Sequence, residues 1–212
     1  MNKTVLKAEA FARSELSSEP TGHDFFHTDR VRKMALFLSR KEGANPFIVE
    51  IAALLHDIAD EKFKSRKKSA LKSWINHNLD KASAHHIIEI IDTLSFRGAR
   101  VKTTMRTIEG KVVQDADRLD ALGAIGIARC FATSARLGCP IYDPSIKPQP
   151  HTSYKAYRKH DGTAINHFYE KLLLLKGLMN TKTAKKIAER RHKAMERYLD
   201  EFYKEWKMRS IS

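Results

Sequence analysis

Apolar residues recur at intervals of three and four positions along most of this 212-residue chain. The first such stripe includes Val5, Ala8, Ala12 and Leu16, and it stops before Pro20. This spacing matches the 3.6-residue turn of an α-helix, whereas a half-buried strand alternates every second residue. No stretch of useful length alternates in that way, and the chain contains no internal repeat. The sequence therefore predicts an all-α fold.

Capping residues divide the pattern into separate predicted helices. Asp24 can cap a second helix that runs to Gly43, and Asn45 can cap a third helix that has Pro46 in its first position. The predicted helices span residues 5–16, 24–43, 46 onward, 67–78, 81–94, 104–137, 163–175 and 181–207.

The segment from about Thr104 to Leu137 is predicted as one long helix, bent near Gly110 or Gly123. The pattern then breaks, because residues 138–161 hold four of the six prolines. Irregular connections of this length are uncommon in compact domains. A lid over a site, a dimer contact and a simple surface excursion all stay open as interpretations. We expect one helical domain over residues 1–212, with its core at about 20–137, a proline-rich loop at 138–161 and C-terminal helices at 163–207.

The chain carries 39 Lys and Arg against 25 Asp and Glu, a formal net charge of +14. Such a balance favours polyanionic partners, although a solvated lysine-rich surface explains it equally well. The basic residues gather at 62–72, 97–111 and 182–193, with few aromatic residues nearby to stack on bases. We expect a phosphorylated small molecule as the partner and regard nucleic acid as the less favoured alternative.

No part of the sequence predicts a membrane span or a disulfide framework. The longest uninterrupted apolar run, Ile51–Leu55, has five residues, whereas a span needs about 18. The N-terminal stretch mixes charged with apolar residues and does not resemble a secretory signal. Cys130 and Cys139 form no CxxC pair. We therefore expect no membrane partner and a cytoplasmic location.

His56 and Asp57 end the apolar run of the segment IAALLHDIAD. A helix that is apolar on most sides is buried, and burying an imidazole and a carboxylate at its end is costly unless something pairs with them. A divalent metal ion is one such partner. A hydrogen bond between a core histidine and an aspartate from elsewhere is the other.

Two further polar residues are predicted to face the core. His27 is in helical register with Val31 and Leu38, and Asp117 follows Val113 by four positions. Three helices thus supply two imidazoles and two carboxylates, whose charge would balance a dication. Such a mixed set suits Mn, Fe, Co, Ni or Zn better than Ca, with Mg as a further option. We therefore expect one divalent metal ion with coordination positions left for water or a phosphate oxygen.

Several local strings resemble the HD-domain superfamily of metal-dependent phosphohydrolases. They are GHDFFHTDRV, AALLHDIADEKF, VVQDADRLDALGAIGIAR, IYDP and INHFYEKLLLLKGLMNT. Together they are similar to the small stand-alone bacterial group of the YpgQ/YedJ type, and the resemblance extends over about residues 3 to 207. It implies a single HD-domain helical bundle.

The resemblance implies metal ligands at His27, His56, Asp57 and Asp117. In the DADRLDA string, the family's ligand is the aspartate before Arg-Leu, hence Asp117 and not Asp115. The two other acids of that string, Asp115 and Asp120, are then expected to stabilise the helix or to support the ligands.

The resemblance also suggests helpers around the metal. Asp60, three residues after Asp57, matches an acidic position that would orient or deprotonate the attacking water; pairing with Lys64 is its alternative. Arg30 and Lys62 match basic positions and are predicted phosphate contacts, with solvated charges as the alternative. His86 is predicted to lie near the site, facing phosphate or supporting a ligand.

The function that these residues imply is hydrolysis of a phosphoester or phosphoanhydride. The favoured reaction cleaves a nucleoside or deoxynucleoside triphosphate to the monophosphate and pyrophosphate. A nucleotide phosphatase or phosphodiesterase on the same site is an alternative, because a scaffold does not define its substrate. A non-catalytic nucleic-acid-binding or regulatory protein and a structural helical partner are the others, and a homodimer is an open option.

Overall fold

The computed structural model describes residues 2–16, 24–58, 65–94, 104–149 and 162–208. Within these ranges the structure contains helices and no strands, which confirms the predicted all-α class. The α-helices are α1 (Lys3–Leu16), α2 (Phe25–Glu42), α3 (Pro46–Leu55), α4 (Ser65–Asn78), α5 (Lys81–Leu94), α6 (Ile108–Asp120), α7 (Gly123–Arg136), α8 (Ala164–Glu170) and α9 (Lys182–Trp206), and a 3₁₀ helix (Leu172–Leu178) separates the last two. None of these helices combines the length and the apolar composition that crossing a membrane requires.

The predicted caps of α2 and α3 are present. The Asp24 carboxylate accepts a hydrogen bond from the His27 backbone N–H at 2.9 Å, and Asn45 Oδ1 accepts one from the Phe47 N–H at 3.0 Å. Gly43 ends α2 with a φ of 73°, in the left-handed region that favours glycine. These caps fix where each helix starts, and the first turn of α2 carries His27.

The prediction of one long helix over residues 104–137 is wrong. Helix α6 begins only after Thr107 and ends at Asp120, and α7 begins at Gly123. Gly123 has a φ of 75°, which interrupts an α-helix, and a Cβ atom at this position would lie 3.2 Å from Cβ of Arg191. The apolar spacing continues across the break, so periodicity alone does not reveal it. Asp120 is therefore a helix-terminal residue instead of lying inside a helix.

The predicted helix over residues 163–175 is shorter than expected. Thr163 caps α8 by accepting a hydrogen bond from the Asn166 N–H at 3.0 Å, but the helix ends at Glu170. The backbone then tightens into the 3₁₀ helix. Helix α9 agrees with the helix predicted over 181–207, and Thr181 is its N-cap.

Helices α2, α3 and α6 form the centre of the bundle, and α2 packs extensively against both of the others. The side chains from Ile51 to Leu55 on α3 are all fully buried. Burying one aliphatic side chain contributes roughly 1.5–3 kcal/mol, so this run holds α3 firmly in the core. His56 and Asp57 follow immediately and are buried with it.

The described half of the proline-rich connection lies against the C-terminal helices. The Asn166 side-chain amide donates to the Ile146 carbonyl at 3.0 Å, and the Tyr142 and Trp206 rings pack with their centroids 5.0 Å apart. Residues 150–161 lie outside the described residues, so the role of the whole loop stays a prediction.

The buried carboxylate of Asp115 joins α6 to the start of α9. It accepts hydrogen bonds from the backbone N–H of Asn180 at 2.8 Å, from the Asn180 side-chain amide at 2.9 Å and from the Thr181 N–H at 2.8 Å. Hydrogen bonds to a charged acceptor contribute more than neutral ones, and a buried donor that loses its acceptor is costly. Asp115 therefore has a structural role, as expected for an acid that is not a metal ligand.

We predict that Asp115→Ala lowers the free energy of unfolding by about 3 kcal/mol, because it leaves buried N–H groups without an acceptor. Urea unfolding followed by circular dichroism measures this. Asp200→Ala, on the exposed face of α9, is the control and should change stability by no more than about 0.5 kcal/mol. A loss at Asp115 as small as that of the control would contradict the assignment.

Candidate metal centre

Three helix ends meet at a cluster of histidine and aspartate side chains. His27 lies in the first turn of α2, His56 and Asp57 follow the last residue of α3, and Asp117 lies in the last turn of α6. The structure thus brings together all four predicted ligands, which are far apart in the sequence.

The donor atoms of the cluster are spaced as neighbouring ligands of one small cation would be. His27 Nε2 lies 3.2 Å from Asp57 Oδ2 and 3.5 Å from Asp117 Oδ1, and His56 Nε2 lies 3.3 Å from Asp57 Oδ1 and 3.8 Å from Asp117 Oδ1. Metal–ligand bonds of about 2.1 Å separate adjacent ligand atoms by about 3.0 Å in an octahedron and about 3.4 Å in a tetrahedron. The side chains of His27, His56 and Asp57 each offer one such atom within 4.8 Å of the others.

Hydrogen bonds on the far side of each imidazole orient the rings. His56 Nδ1 donates to the Ala53 carbonyl at 2.8 Å, and His27 Nδ1 donates to Asp120 Oδ2 at 2.7 Å. In the neutral tautomer this leaves the lone pair on Nε2, which is the atom that points into the cluster. His56 Nε2 is buried and has no hydrogen-bond partner in the part of the chain that the structure describes. A buried acceptor of this kind fits a metal ligand.

The cluster opens to solvent on one side. The side chains of both histidines are at most 1% exposed and that of Asp57 is 11% exposed, whereas that of Asp117 is 33% exposed. An outside molecule can therefore reach the cluster beside Asp117. A site with both protein ligands and an open side is suited to catalysis, because a purely structural site is closed.

The electrostatics of the cluster favour a cation. Burial lowers the pKa of the His27 imidazole, but contacts with three carboxylates outweigh burial and raise it from 6.5 to about 10. The carboxylates are those of Asp117, Asp120 and Asp57. Burial raises the pKa of the Asp117 carboxyl, but the hydrogen bond to His27 and the nearby imidazoles lower this pKa by more than burial raises it. The carboxyl therefore stays ionised. The cluster thus stabilises positive charge at its centre.

Asp120 is the supporting acid of His27. Its buried carboxylate also accepts two hydrogen bonds from Arg30, at 2.8 and 3.0 Å, and one from Arg129 at 2.8 Å. Burial raises the pKa of this carboxyl, but the hydrogen bonds from His27 and Arg30 outweigh that and lower it. An ionised carboxylate behind a metal-ligating histidine orients the ring and makes it a better ligand.

Arg30 has a different partner from the one predicted. Its guanidinium is held by Asp120 in a two-pronged ion pair, with the side chain 35% exposed. The contact of Arg30 with phosphate stays a prediction, and the exposed part of the guanidinium would form that contact.

His86 is not brought to the cluster. His86 Nε2 lies 2.9 Å from Thr107 Oγ1 and 3.8 Å from Glu109 Oε2, at the start of α6. Glu109 precedes Asp117 by eight residues, which is about 12 Å along a helix. The isoleucine register that placed His86 on the inner face of α5 gives no information about its position along the helix. Asp60 and Lys62, the predicted water-orienting acid and second phosphate contact, lie outside the described residues.

Sequence reasoning missed Arg129. This residue is nine positions beyond Asp120 and in a different helix, so no helical spacing connects the two residues. A helix break after Asp120 is the signal that would bring Arg129 to it, whereas the apolar spacing predicts only a bend at Gly123.

Comparisons with known proteins agree with this geometry. The model of the HD domain matches residues 25–122, a span that contains the four cluster residues. The chain is 36% identical over 209 residues to YpgQ of Bacillus subtilis, which covers 96% of this chain and 94% of YpgQ. This chain belongs to the HD-domain family. HD domains bind divalent metal ions, and this one has a His/Asp group that can hold such an ion.

Solved structures of similar proteins share the fold. A Lactobacillus plantarum protein matches with a TM-score of 0.89 at 39% identity, covering 98% of this chain and 99% of that protein. YpgQ in complex with ADP matches with a TM-score of 0.75 at 36% identity, covering 95% and 97%. An HD-superfamily hydrolase of Bacillus thuringiensis matches with a TM-score of 0.73 at 43% identity, covering 96% of both chains. The HD fold of this chain is therefore that of a hydrolase.

We predict that Asp120→Asn weakens Mn²⁺ binding by about 10- to 100-fold, because the amide cannot supply the negative charge behind His27. Competition with a chelating dye measures the affinity, and thermal unfolding in chelator separates this effect from a loss of folding. Asp200→Asn, an exposed change of equal charge, is the control. Affinity of Asp120→Asn within twofold of that control would show that Asp120 does not support the metal ligand.

Proposed function

We propose that this HD protein is a divalent-metal-dependent phosphohydrolase that acts on nucleotides. The observation that carries the proposal is the open cluster of His27, His56, Asp57 and Asp117, which is neutral overall once a dication is bound. These four side chains would hold the metal. When bound, a divalent cation supplies Lewis-acid polarisation of a phosphoryl oxygen and a lowered pKa of water.

The remaining roles are assigned to the chain's own residues. Asp60 would orient the attacking water and accept its proton, and Lys62 would neutralise phosphate charge. Arg30 would add its exposed edge to the phosphate while Asp120 holds the rest of the guanidinium in place. His86 would contribute only through a part of the substrate that extends about 12 Å from the cluster along α6.

The nucleotide class is supported by a relative. YpgQ, at 36% identity, was crystallised in complex with ADP, a nucleoside diphosphate. The formal net charge of +14 also favours a polyphosphate over an uncharged substrate. We therefore favour cleavage of a nucleoside or deoxynucleoside triphosphate to the monophosphate and pyrophosphate. Removal of a single phosphate and hydrolysis of a phosphodiester are the alternatives on the same site.

We predict that His56→Ala removes both turnover and bound metal, because the substitution removes His56 Nε2, which points into the cluster. Metal content by mass spectrometry and nucleotide hydrolysis are measured on the same preparation. His77→Ala, an exposed histidine on α4, is the matched control and should retain both. Full activity in metal-free His56→Ala protein would rule out the proposed centre.

The bond that is cleaved is tested by product identity. A panel of nucleoside and deoxynucleoside triphosphates, diphosphates and monophosphates is incubated with the protein and Mn²⁺, and phosphate and pyrophosphate are assayed separately. We expect pyrophosphate in equal amount to monophosphate from at least one triphosphate. Release of phosphate without pyrophosphate would show a phosphatase instead of a pyrophosphohydrolase. If no nucleotide of the panel is hydrolysed, the result would favour a non-catalytic binding protein.

A further inference from the structure

A cavity of about 1090 Å³ runs along α9, away from the metal centre. Its other walls come from Gly123 and Ala124 at the start of α7, from Tyr169 of α8 and from Leu173 of the 3₁₀ helix. None of the four cluster residues lines it. We call this cavity the α9 groove.

Four basic side chains of α9 line the groove, and three of them, those of Arg190, Lys193 and Arg197, form a row along the helix. Within the described structure, none of these three takes part in a hydrogen bond or an ion pair. They are three and four residues apart, so they lie on one face of the helix, where like charges repel one another. An anion in the groove would relieve that repulsion.

The other charged residues of the groove do not cancel this charge. Two acids line it, Glu196 and Asp200, and Glu196 already lies 3.2 Å from His192 Nε2. Arg191 is a fourth basic residue, and its guanidinium donates to the Leu119 carbonyl. Among the described residues, four basic side chains against two acids give the lining of the groove a net charge of +2.

The shape of the groove indicates which anion fits. From Arg190 to Arg197 the row of cations extends about 10 Å along the helix axis. Tyr169, which is 39% exposed, and the apolar side chain of Leu173 also line the groove. A basic row that follows a backbone, beside an aromatic ring on which a base can stack, is the arrangement that binds single-stranded nucleic acid.

We propose that the α9 groove binds a short single-stranded segment of nucleic acid. Successive phosphates lie against Arg190, Lys193 and Arg197, and one base stacks on Tyr169. A repeating phosphate backbone matches this row better than the single phosphate group of one mononucleotide. The proposal is independent of the reaction at the metal centre, because the two sites share no residue.

The test uses the full chain as purified and a fluorescein-labelled oligothymidylate of about 12 nucleotides, with binding followed by fluorescence anisotropy over a range of salt concentrations. The groove variant combines Arg190→Gln, Lys193→Gln and Arg197→Gln. Each phosphate contact on a single strand contributes about 0.7 to the slope of log K against log salt. We therefore expect the groove variant to lower the magnitude of that slope by about 2.

The matched control variant combines Lys182→Gln, Lys185→Gln and Lys186→Gln, which remove the same charge from exposed positions of α9 outside the groove. It should keep the wild-type slope. Tyr169→Leu should weaken binding by about tenfold at constant slope, since it removes stacking and no charge. Metal content and nucleotide hydrolysis of the groove variant should equal those of the wild type.

Three outcomes would overturn the proposal. The first is no binding of the oligothymidylate by the wild type, and the second is an equal change of slope in the groove and control variants, which would indicate unspecific attraction. The third is a change of sedimentation coefficient confined to the groove variant, which would make the groove a contact between two copies of this chain. Each of these outcomes leaves the metal centre untouched, so failure here is distinguishable from failure of the proposed hydrolase.

Discussion

The burial of helix α3 is the constraint on which the metal centre depends. Its run of fully buried side chains ends at Leu55, and the next two residues, His56 and Asp57, are carried into the core with it. Two polar side chains in that position are costly unless they are paired. Among the helices that pack on α3, α2 supplies His27 and α6 supplies Asp117. The contacts that build the core are therefore the same contacts that assemble the cluster.

Three acids of α6 show how one helix serves different neighbours. Asp117 and Asp120 are three residues apart, so both face α2, where His27 lies between them. Asp115 is two residues from Asp117 and points to the other side, where it holds the start of α9. The DADRLDA string thus combines a candidate ligand, its support and a structural anchor in two helical turns.

The sequence was sufficient for the features that follow from local rules. Caps at Asp24 and Asn45 and the apolar register of His27 depend on neighbours within one or two turns, and each was predictable. The break after Asp120 depends on a left-handed Gly123 packed against Arg191, a contact between distant parts of the chain. The predicted position of His86 is wrong for a related reason. A helical register shows which face of a helix a residue occupies, but it does not show which part of the neighbouring helix that residue contacts.

The junction between α6 and α7 connects the metal centre with the α9 groove. Asp120 ends α6 and holds His27, while Arg191 on α9 donates to the carbonyl of the preceding residue, Leu119, and packs against Gly123. Arg129 returns from α7 to the same Asp120 carboxylate. The junction is thus fastened from both sides by charged hydrogen bonds to buried acceptors, which are among the stronger ones that a protein forms. Asp120 thus orients His27 on one side of the helix break while Gly123 and Arg191 line one end of the groove on the other side, so the break in α6 separates two sites that share no residue.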